Sequence, residues 1–456
     1  MTIFLDNKLA DHAENGDRNA IHKRVESHQN IKTEIFMKFT PNPLLYGAAE
    51  DFYSSFKLSV TMCAPVDHGA LSRAVATTMT RYPYFCVYPE KNGNSILLAH
   101  NPRPVPVFSD GHLAVLGSEE CNGHLLFFGC EGNRILLNAS HYIADGMGID
   151  PLLKTVLYLY VAELYGTEGL QTERIHMPDE AVAKEEYDYP FPAAPFEIDN
   201  FWPSRKPPEK AYGLDPDAFD GEGLYAYHLH VPQREMMSKA NPSDGSPVSF
   251  LTVMMYRAFC TLDDAVELPV VAHVQHQYRQ ALRTPFNRHS LVSYIPVSLP
   301  PRAKSWHVEQ QNTVLRGQII IGSEPTEDLR AVNRILDAIP QDDSATLAEK
   351  TASMRKHVAH SIEGKTFGIS YVGKMDWCGL DQYVKDIHAY IGEKHTENML
   401  LIEVMTVGED FTLNFMQSGR GRAYVDAFAE QLRLMDIPVR LIGEERYTLC
   451  DTVIPS

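Results

Sequence analysis

A proline-dense stretch divides this chain into two halves and limits the folds it can adopt. Residues 182–224 contain seven prolines. Proline lacks a backbone N–H and cannot continue a helix or a central strand, so this stretch is predicted to be a linker or crossover. On either side the sequence follows a similar plan of strands, helices and hairpins. We therefore expect two comparable α/β lobes over residues 33–181 and 225–456, after a polar leader at residues 1–32.

The first half contains two clear helical patterns among predicted strands. Residues 56–63 are typical of a strand, and apolar residues at helical spacing then predict an amphipathic helix that Pro83 closes. A second helix is predicted with Asp150 as its N-cap, Pro151 at its first position and Gly166 at its end. Two apolar segments with central turn residues predict hairpins between these helices, at residues 85–100 and 124–141.

The second half continues with strands and helices of ordinary length. Ser249 is predicted to cap the first helix of this half, because serine is a favoured N-cap residue. The strands are predicted at residues 224–231, 268–279, 366–377 and 398–417. The helices are predicted at residues 250–262, 324–362 and 423–435.

The formal net charge of −18 narrows the range of partners. Nucleic-acid backbones and anionic membranes attract positive fields, so neither is expected as the main partner, whereas a small anionic ligand needs only a local group of donors. No stretch approaches the ~20 apolar residues of a membrane helix. The acidic N-terminus lacks the apolar run of a signal peptide, so a cytoplasmic protein without a membrane span is expected.

The segment SHYIADGMG, residues 140–148, is the sharpest local motif. His141 follows an apolar strand, and Asp145 and Gly146 come before the next helix. A side chain at such a strand end can be fixed and still face a cleft, and the ordinary pKa of histidine suits a general base near neutrality. Asp145 need not touch His141, since it can instead hold the loop through a cation elsewhere. The alternative is a structural histidine that is hydrogen-bonded within a turn.

With this motif in this context, the chain resembles the HxxxDG acyltransferase superfamily. That family contains chloramphenicol acetyltransferase, nonribosomal peptide condensation domains, plant-type acyl-CoA transferases and alcohol acetyltransferases. Four further segments resemble its early helix, the helix that opens its second lobe, a strand ending in Arg and its "SNlG" strand. They are LSRAVATTMTRYPYF (71–85), VSFLTVMMYRAFC (248–260), HVQHQYRQAL (273–282) and FGISYVGKMD (367–376). The resemblance implies an α/β fold of two chloramphenicol acetyltransferase-like lobes, each with a mixed sheet plus helices, and an active-site tunnel between them.

The resemblance also implies roles for residues of the HxxxDG motif. His141 matches the general base that deprotonates a hydroxyl or amine of the acceptor. Asp145 matches a mainly structural residue, which in the family is usually paired with the Arg of a second-lobe strand, here Arg279. Gly146 matches the motif glycine, and a backbone N–H near it is one candidate donor to the oxyanion of the reaction.

Two residues near the expected tunnel match the sequence pattern of the family, whereas two other residues of the chain differ from that pattern. Ser370 and Gly373 match the Ser and Gly of "SNlG", and the Ser370 hydroxyl is the other candidate oxyanion donor. Tyr371 replaces the Asn of that motif and is kept with them as a candidate for substrate contact. Ser140 replaces the first of two consecutive histidines in many members; that histidine is often not the base.

The expected reaction is acyl transfer to a small acceptor without a covalent enzyme intermediate. No carrier-protein or adenylation domain accompanies the chain, so acyl-CoA is the expected co-substrate and no bound cofactor is expected. The alternatives are a stand-alone condensation-type enzyme that uses a phosphopantetheine thioester on an acyl carrier protein, and a catalytically silent binding protein with the same fold. Two lobes in one chain favour a monomer.

Other clusters of polar residues are interpreted as structural. The pairs His273/His276 and His357/His360 lack a third ligand or a shared face, so no metal site is expected. The segment SGRGRAY contains Arg420 and Arg422, which could meet the phosphates of CoA, although a solvated turn is the favoured interpretation.

Overall fold

A computed structural model of the chain describes residues 43–47, 55–172, 175–192, 194–198, 208–263, 265–338, 344–362, 364–373, 375–392 and 398–454. The leader expected at residues 1–32 lies outside the described residues, as do parts of the predicted linker. The described residues lie within the compact unit Thr40–Ser456.

The described residues form both strands and helices. The strands are β1 (Ser55–Met62), β2 (Val87–Asn92), β3 (Ser95–His100), β4 (Val107–Phe108), β5 (Leu126–Glu131), β6 (Arg134–Ser140), β7 (Leu224–Pro232), β8 (Val270–Gln277), β9 (Val292–Leu299), β10 (Phe367–Tyr371), β11 (Val384–Tyr390), β12 (Leu400–Val407), β13 (Asp410–Ser418) and β14 (Arg440–Tyr447). The helices are α1 (His68–Met79), α2 (Gly146–Tyr165), α3 (Gln233–Ala240), α4 (Pro247–Leu262), α5 (Val308–Gly322), α6 (Pro325–Asp337), α7 (Leu347–Ile362) and α8 (Ala423–Leu434).

Local sequence signals placed most of these elements. The two predicted hairpins are β2–β3 and β5–β6, each paired antiparallel. Helix α1 is capped by the Asp67 side chain and buries the apolar face expected from its helical spacing. The predicted cap of α4 was wrong by three residues: Ser246 is the N-cap, and the Ser249 hydroxyl completes a capping box with it.

The first sheet contains strands from both halves of the chain. Among the described residues its order is β11-β1-β6-β5-β4, and β1 pairs antiparallel with both β11 and β6. The final segment also reaches this half, because the N–H of Leu116 donates to the carbonyl of Asp451 at 2.9 Å. Strand β11, from the second half of the chain, thus belongs to a sheet whose other described strands come from the first half.

The second sheet packs one face on the main hydrophobic core and carries buried polar side chains among apolar ones on the other. Its order among the described residues is β14-β7-β13-β12-β10-β8-β9, with β8, β10 and β12 parallel. Helices α4 and α8 supply Phe259 and Phe428 to the core on one face, where they pack with Phe415. Successive side chains of a strand point to opposite faces. The other face therefore carries Ser370 of β10 and Glu403 of β12, which are partners in register.

The structure also differs from the sequence-based prediction in the length of one strand and in the number of elements. The strand predicted over residues 366–377 ends at Tyr371, because Gly373 turns the chain with a φ of +85°. The sequence analysis did not find the strands β4, β9, β11 and β14 or the helices α3 and α5. No helix among the described residues combines the length and apolar character needed to cross a membrane.

Candidate active site

His141 lies where strand β6 ends and the chain turns toward helix α2. Its ring packs against Phe56, near the start of the neighbouring strand β1, with 4.6 Å between the ring centroids. The His141 side chain is half-buried, and it forms a hydrogen bond with the backbone of Ala144. A strand end, an aromatic ring and a backbone contact thus fix the imidazole.

The surroundings of His141 favour its neutral form. Burial lowers the pKa of His141, because the charged imidazolium loses hydration. The negative charge of Asp145 and the hydrogen bond to the Ala144 backbone oppose this shift but do not reverse it. The imidazole is therefore neutral at neutral pH and can accept a proton.

Asp145 caps helix α2, which corrects the predicted start of that helix. Asp145 Oδ1 accepts a hydrogen bond from the N–H of Gly148 at 2.8 Å. The predicted cap, Asp150, and Pro151 both lie inside the helix. Local sequence favoured Asp150 because an Asp-Pro pair commonly begins a helix. The actual start is stabilised by a contact with the second half of the chain, which the local sequence cannot show.

That contact is a buried ion pair between Asp145 and Arg279. Arg279 Nη1 donates to Asp145 Oδ2 at 2.8 Å, and Nη2 donates to Oδ1 at 2.6 Å. The N–H of Leu291 donates to Oδ2 at 3.0 Å. The side chains of Arg279 and Asp145 are 4% and 2% exposed, respectively. The carboxylate oxygens are thus bonded to these donors and to the helix N-terminus, and the influence of Asp145 on the pKa of His141 is that of its charge.

The segment after β8 surrounds this ion pair. Arg279 also donates to the carbonyl oxygens of Asn287 and His289, at 3.1 Å and 2.9 Å. Arg288 Nη1 donates at 2.8 Å to the carbonyl of Ile143, which lies in the loop of residues 141–145, here called the His141 loop. Residues 279–291 therefore hold the loop from the side of the second sheet.

Gly148 is required where α2 meets this segment. A Cβ on Gly148 would lie 2.0 Å from the carbonyl oxygen of Arg288, which is backbone and cannot move independently. Gly148→Ala is therefore expected to destabilise the protein by ~1–3 kcal/mol, as overpacking does. The measurement is denaturant unfolding of the wild type and the variant.

Gly317→Ala is the matched control for this substitution. Gly317 also lies inside a helix, but a Cβ there would meet nothing within 4 Å. Helix propensity should then stabilise the control by up to ~1 kcal/mol. Equal effects at the two positions would contradict the close approach described for Gly148.

The candidate residues of β10 divide between the two faces of the second sheet. Ser370 Oγ donates to Glu403 Oε1 at 2.9 Å, and both side chains are buried. Tyr371 packs instead on the hydrophobic core, with 6.1 Å between its ring centroid and that of Phe411. Ser370 and Tyr371 therefore cannot contact a substrate from the same face. A Cβ on Gly373 would meet nothing within 4 Å, so the space beside this turn is open.

Two connections bring the His141 loop toward the carboxyl ends of β8 and β10. Arg279 follows β8 and binds Asp145. After β10, Cys378 packs on helix α2. In that helix burial is the main cause that raises the pKa of Asp150, and the negative charge of Asp376 adds to it. Among the described residues, no hydrogen bond joins His141 to Ser370, Tyr371 or Gly373.

The remaining sequence candidates lie at the surface or form no cluster. Arg420 pairs with Glu444 at 3.2 Å, and Arg422 pairs with Asp426 at 2.7 Å. Within the described ranges, no group of three or more His, Cys, Asp or Glu side chains is arranged to hold a metal ion.

Sequence reasoning missed Glu403 and Arg288. Glu403 had a visible signal, since it is the only charged residue in the apolar run MLLIEVM of a predicted strand. Arg288 had none, because it lies in an irregular segment whose importance depends on contacts with residues far away in the sequence.

Compared by sequence, the chain matches no protein-family model and no curated protein. Compared by structure, it matches proteins of one architecture. TRI101 of F. sporotrichioides, solved with coenzyme A and T-2, matches with a TM-score of 0.55 and 9% identity, over 88% of this chain and 98% of the other. Polyketide synthase associated protein 5 of Mycobacterium tuberculosis matches with a TM-score of 0.53 and 12% identity, over 87% and 97%.

A third match extends the comparison to peptide-synthesis enzymes. The EpoB NRPS cyclization-docking bidomain of Sorangium cellulosum has a TM-score of 0.51 and 11% identity, over 93% of each chain. The chain therefore has the two-lobed α/β fold of the chloramphenicol acetyltransferase-like proteins, and the expected fold is confirmed.

Proposed function

We propose that this protein transfers an acyl group from a thioester to a hydroxyl or amine of a small acceptor, with His141 as general base. The observation that carries the proposal is the neutral form and the fixed position of the His141 imidazole. Its imidazole is neutral and half-buried, and the Asp145–Arg279 pair fixes its loop against the second half of the chain. A general base needs this combination of a free proton-accepting form and a fixed position.

The proposed reaction uses one base and no covalent enzyme intermediate. His141 takes the proton of the acceptor as its oxygen or nitrogen attacks the thioester carbonyl. The resulting tetrahedral intermediate collapses, the C–S bond breaks, and His141 returns the proton to the thiolate. The oxyanion needs a hydrogen-bond donor, for which the Ser370 hydroxyl and a backbone N–H near Gly146 are the candidates. A Cβ on Gly146 would meet nothing within 4 Å, so a substrate can approach that backbone closely.

The proposed donor is acyl-CoA, with a carrier-bound thioester as the second candidate. TRI101, which shares the fold, is solved with coenzyme A. The same fold occurs in the EpoB NRPS cyclization-docking bidomain and in the condensation domain of the polyketide synthase MokA. These two proteins are the reason for keeping the carrier-bound thioester as the second candidate. Both kinds of donor present the same phosphopantetheine thioester to the base.

The experiment is to measure free-thiol release from a panel of acyl-CoAs, with and without a pool of alcohols and amines. Acceptor-dependent release would support acyl-CoA transfer and rank the donors. If release occurs only with acyl groups loaded on a carrier protein, the condensation-type alternative holds. No release from either kind of donor would favour the silent binding protein and contradict the proposed activity.

The pH profile of activity should show an acid limb set by His141. Only the neutral imidazole accepts a proton, so kcat/KM is expected to fall as the pH falls through the pKa of His141. Burial places that pKa below its ordinary value of 6.5. The measurement is kcat/KM across pH, with donor stability checked separately. An acid limb centred above 6.5 would contradict this assignment.

A further inference from the structure

Glu403 is a buried acid that pairs with no Arg, Lys or His side chain of the described residues. It is 4% exposed, and its hydrogen-bond partner is the Ser370 hydroxyl. The other buried carboxyl groups of the described residues each pair with Arg or His: Asp145 with Arg279, Glu186 with Arg81, Asp328 with His276 and Asp386 with His230. Burying an acid without a cation is costly, and this exception calls for a reason in function.

The position of Glu403 connects it to the candidate site. It is the register partner of Ser370, on the face of the second sheet away from the hydrophobic core. Ser370 is the next-to-last residue of β10, beside β8, and β8 leads to the arginine that holds the His141 loop. An acid that is hydrogen-bonded to a candidate oxyanion donor can determine whether the proton of that donor is available to a substrate.

On the basis of the proposed function, we propose that Glu403 is a positioning residue that determines whether the Ser370 hydroxyl can donate to the oxygen of the tetrahedral intermediate. With Glu403 ionised, Ser370 donates to the carboxylate, as in the structure, and its proton is withheld from the substrate. With Glu403 protonated, the carboxyl donates to Ser370 Oγ, and the Ser370 proton is free to bond to the oxyanion. The neutral acid also avoids repelling that oxyanion.

The electrostatic surroundings of Glu403 permit both forms near neutrality. Burial raises the pKa of Glu403 to about 7, and the hydrogen bond from Ser370 opposes that shift. Its partner in register on β13 is Asn414, which does not titrate.

Three titratable groups on β11, which packs against β12, have partners of their own. On β11, Asp386 binds His230 of β7 at 2.8 Å, His388 stacks on His228 of β7 at 3.8 Å, and Tyr390 donates to Glu445 of β14. On β8, burial lowers the pKa of His273 to about 3, so this histidine is neutral. Burial is thus the main cause of the raised pKa of Glu403.

The test compares kcat/KM across pH for wild type, Glu403→Gln and Ser370→Ala. The wild type is expected to lose activity as pH rises through about 7, where Glu403 ionises. In Glu403→Gln the neutral amide donates to Ser370 Oγ at every pH, so this basic limb should disappear. Ser370→Ala should lower kcat by ~10²-fold with little change in KM, as loss of an oxyanion donor does. At pH above about 7 Glu403→Gln should exceed the wild type, and adding it to Ser370→Ala should bring no such gain, because it acts through the Ser370 hydroxyl.

Glu444→Gln is the matched control, since Glu444 lies on β14 and pairs with the exposed Arg420. It should keep the wild-type profile. A basic limb that persists in Glu403→Gln, or a gain from Glu403→Gln that remains in the Ser370→Ala background, would overturn the inference. An inactive wild type would overturn the proposed function and this inference with it, whereas an active wild type with an unchanged Glu403→Gln profile overturns the inference alone.

Protein stability gives a second measurement that needs no activity. The folded-state pKa of Glu403 lies above its ordinary value of 4.5, so the folded state favours the protonated acid. Its stabilising contribution is present below pH 4.5 and is lost as pH rises through about 7. The unfolding free energy of wild type relative to Glu403→Gln should therefore fall over that interval. A difference that stays constant with pH would show that folding does not raise the pKa of Glu403 and would overturn the inference.

Discussion

Replacing His141 by alanine should lower kcat/KM by about 10²–10⁴-fold while the protein stays folded, because a positioned general base contributes that much to the rate. The imidazole packs on Phe56 and is half-buried, so its removal leaves the Asp145–Arg279 pair intact. The measurement is acceptor-dependent thiol release, together with the melting temperature of both proteins.

The control for this substitution is His176→Ala. His176 is also half-buried and packs near an aromatic ring, with 6.1 Å to the centroid of Tyr82, but it lies outside the His141 loop. This variant should keep its activity. If His141→Ala retained wild-type turnover, the proposed mechanism would be wrong, and His141 would be a structural histidine of the turn.

The second large effect concerns stability rather than rate. Asp145→Asn should destabilise the protein by ~3–5 kcal/mol, because it leaves the buried guanidinium of Arg279 without a countercharge. Both side chains are nearly inaccessible to water, which therefore cannot replace the lost carboxylate. Denaturant unfolding of the purified variant, or a loss of soluble expression, would report this effect.

The same substitution at an exposed ion pair gives the comparison. Asp426 pairs with Arg422 at 2.7 Å, and these side chains are 59% and 41% exposed. Asp426→Asn should change stability by less than ~1 kcal/mol, as surface pairs do. An Asp145→Asn protein that is soluble, melts like the wild type and is inactive would instead place Asp145 in the catalytic group.

Local patterns predicted the parts of the site that depend on neighbours in sequence. The apolar hairpin that ends at His141 follows from alternation and turn residues, and β5–β6 has the predicted pairing. The start of α2 did not follow, because Asp145 competes with Asp150 as a cap and prevails through bonds to residues 279–291. Ser370 and Tyr371 were predicted together, but strand alternation places them on opposite faces.

The sequence by itself determined the plan of two α/β lobes and the position of His141 at the end of a strand, since periodicity and turn chemistry act over a few residues. Only the tertiary structure decided which distant residues meet. It placed β11 in the first sheet, paired Arg279 with Asp145 and buried Glu403 beside Ser370. A local pattern shows which face of an element is apolar, but the partner across that face and the dielectric around a charge depend on the packing of the whole chain.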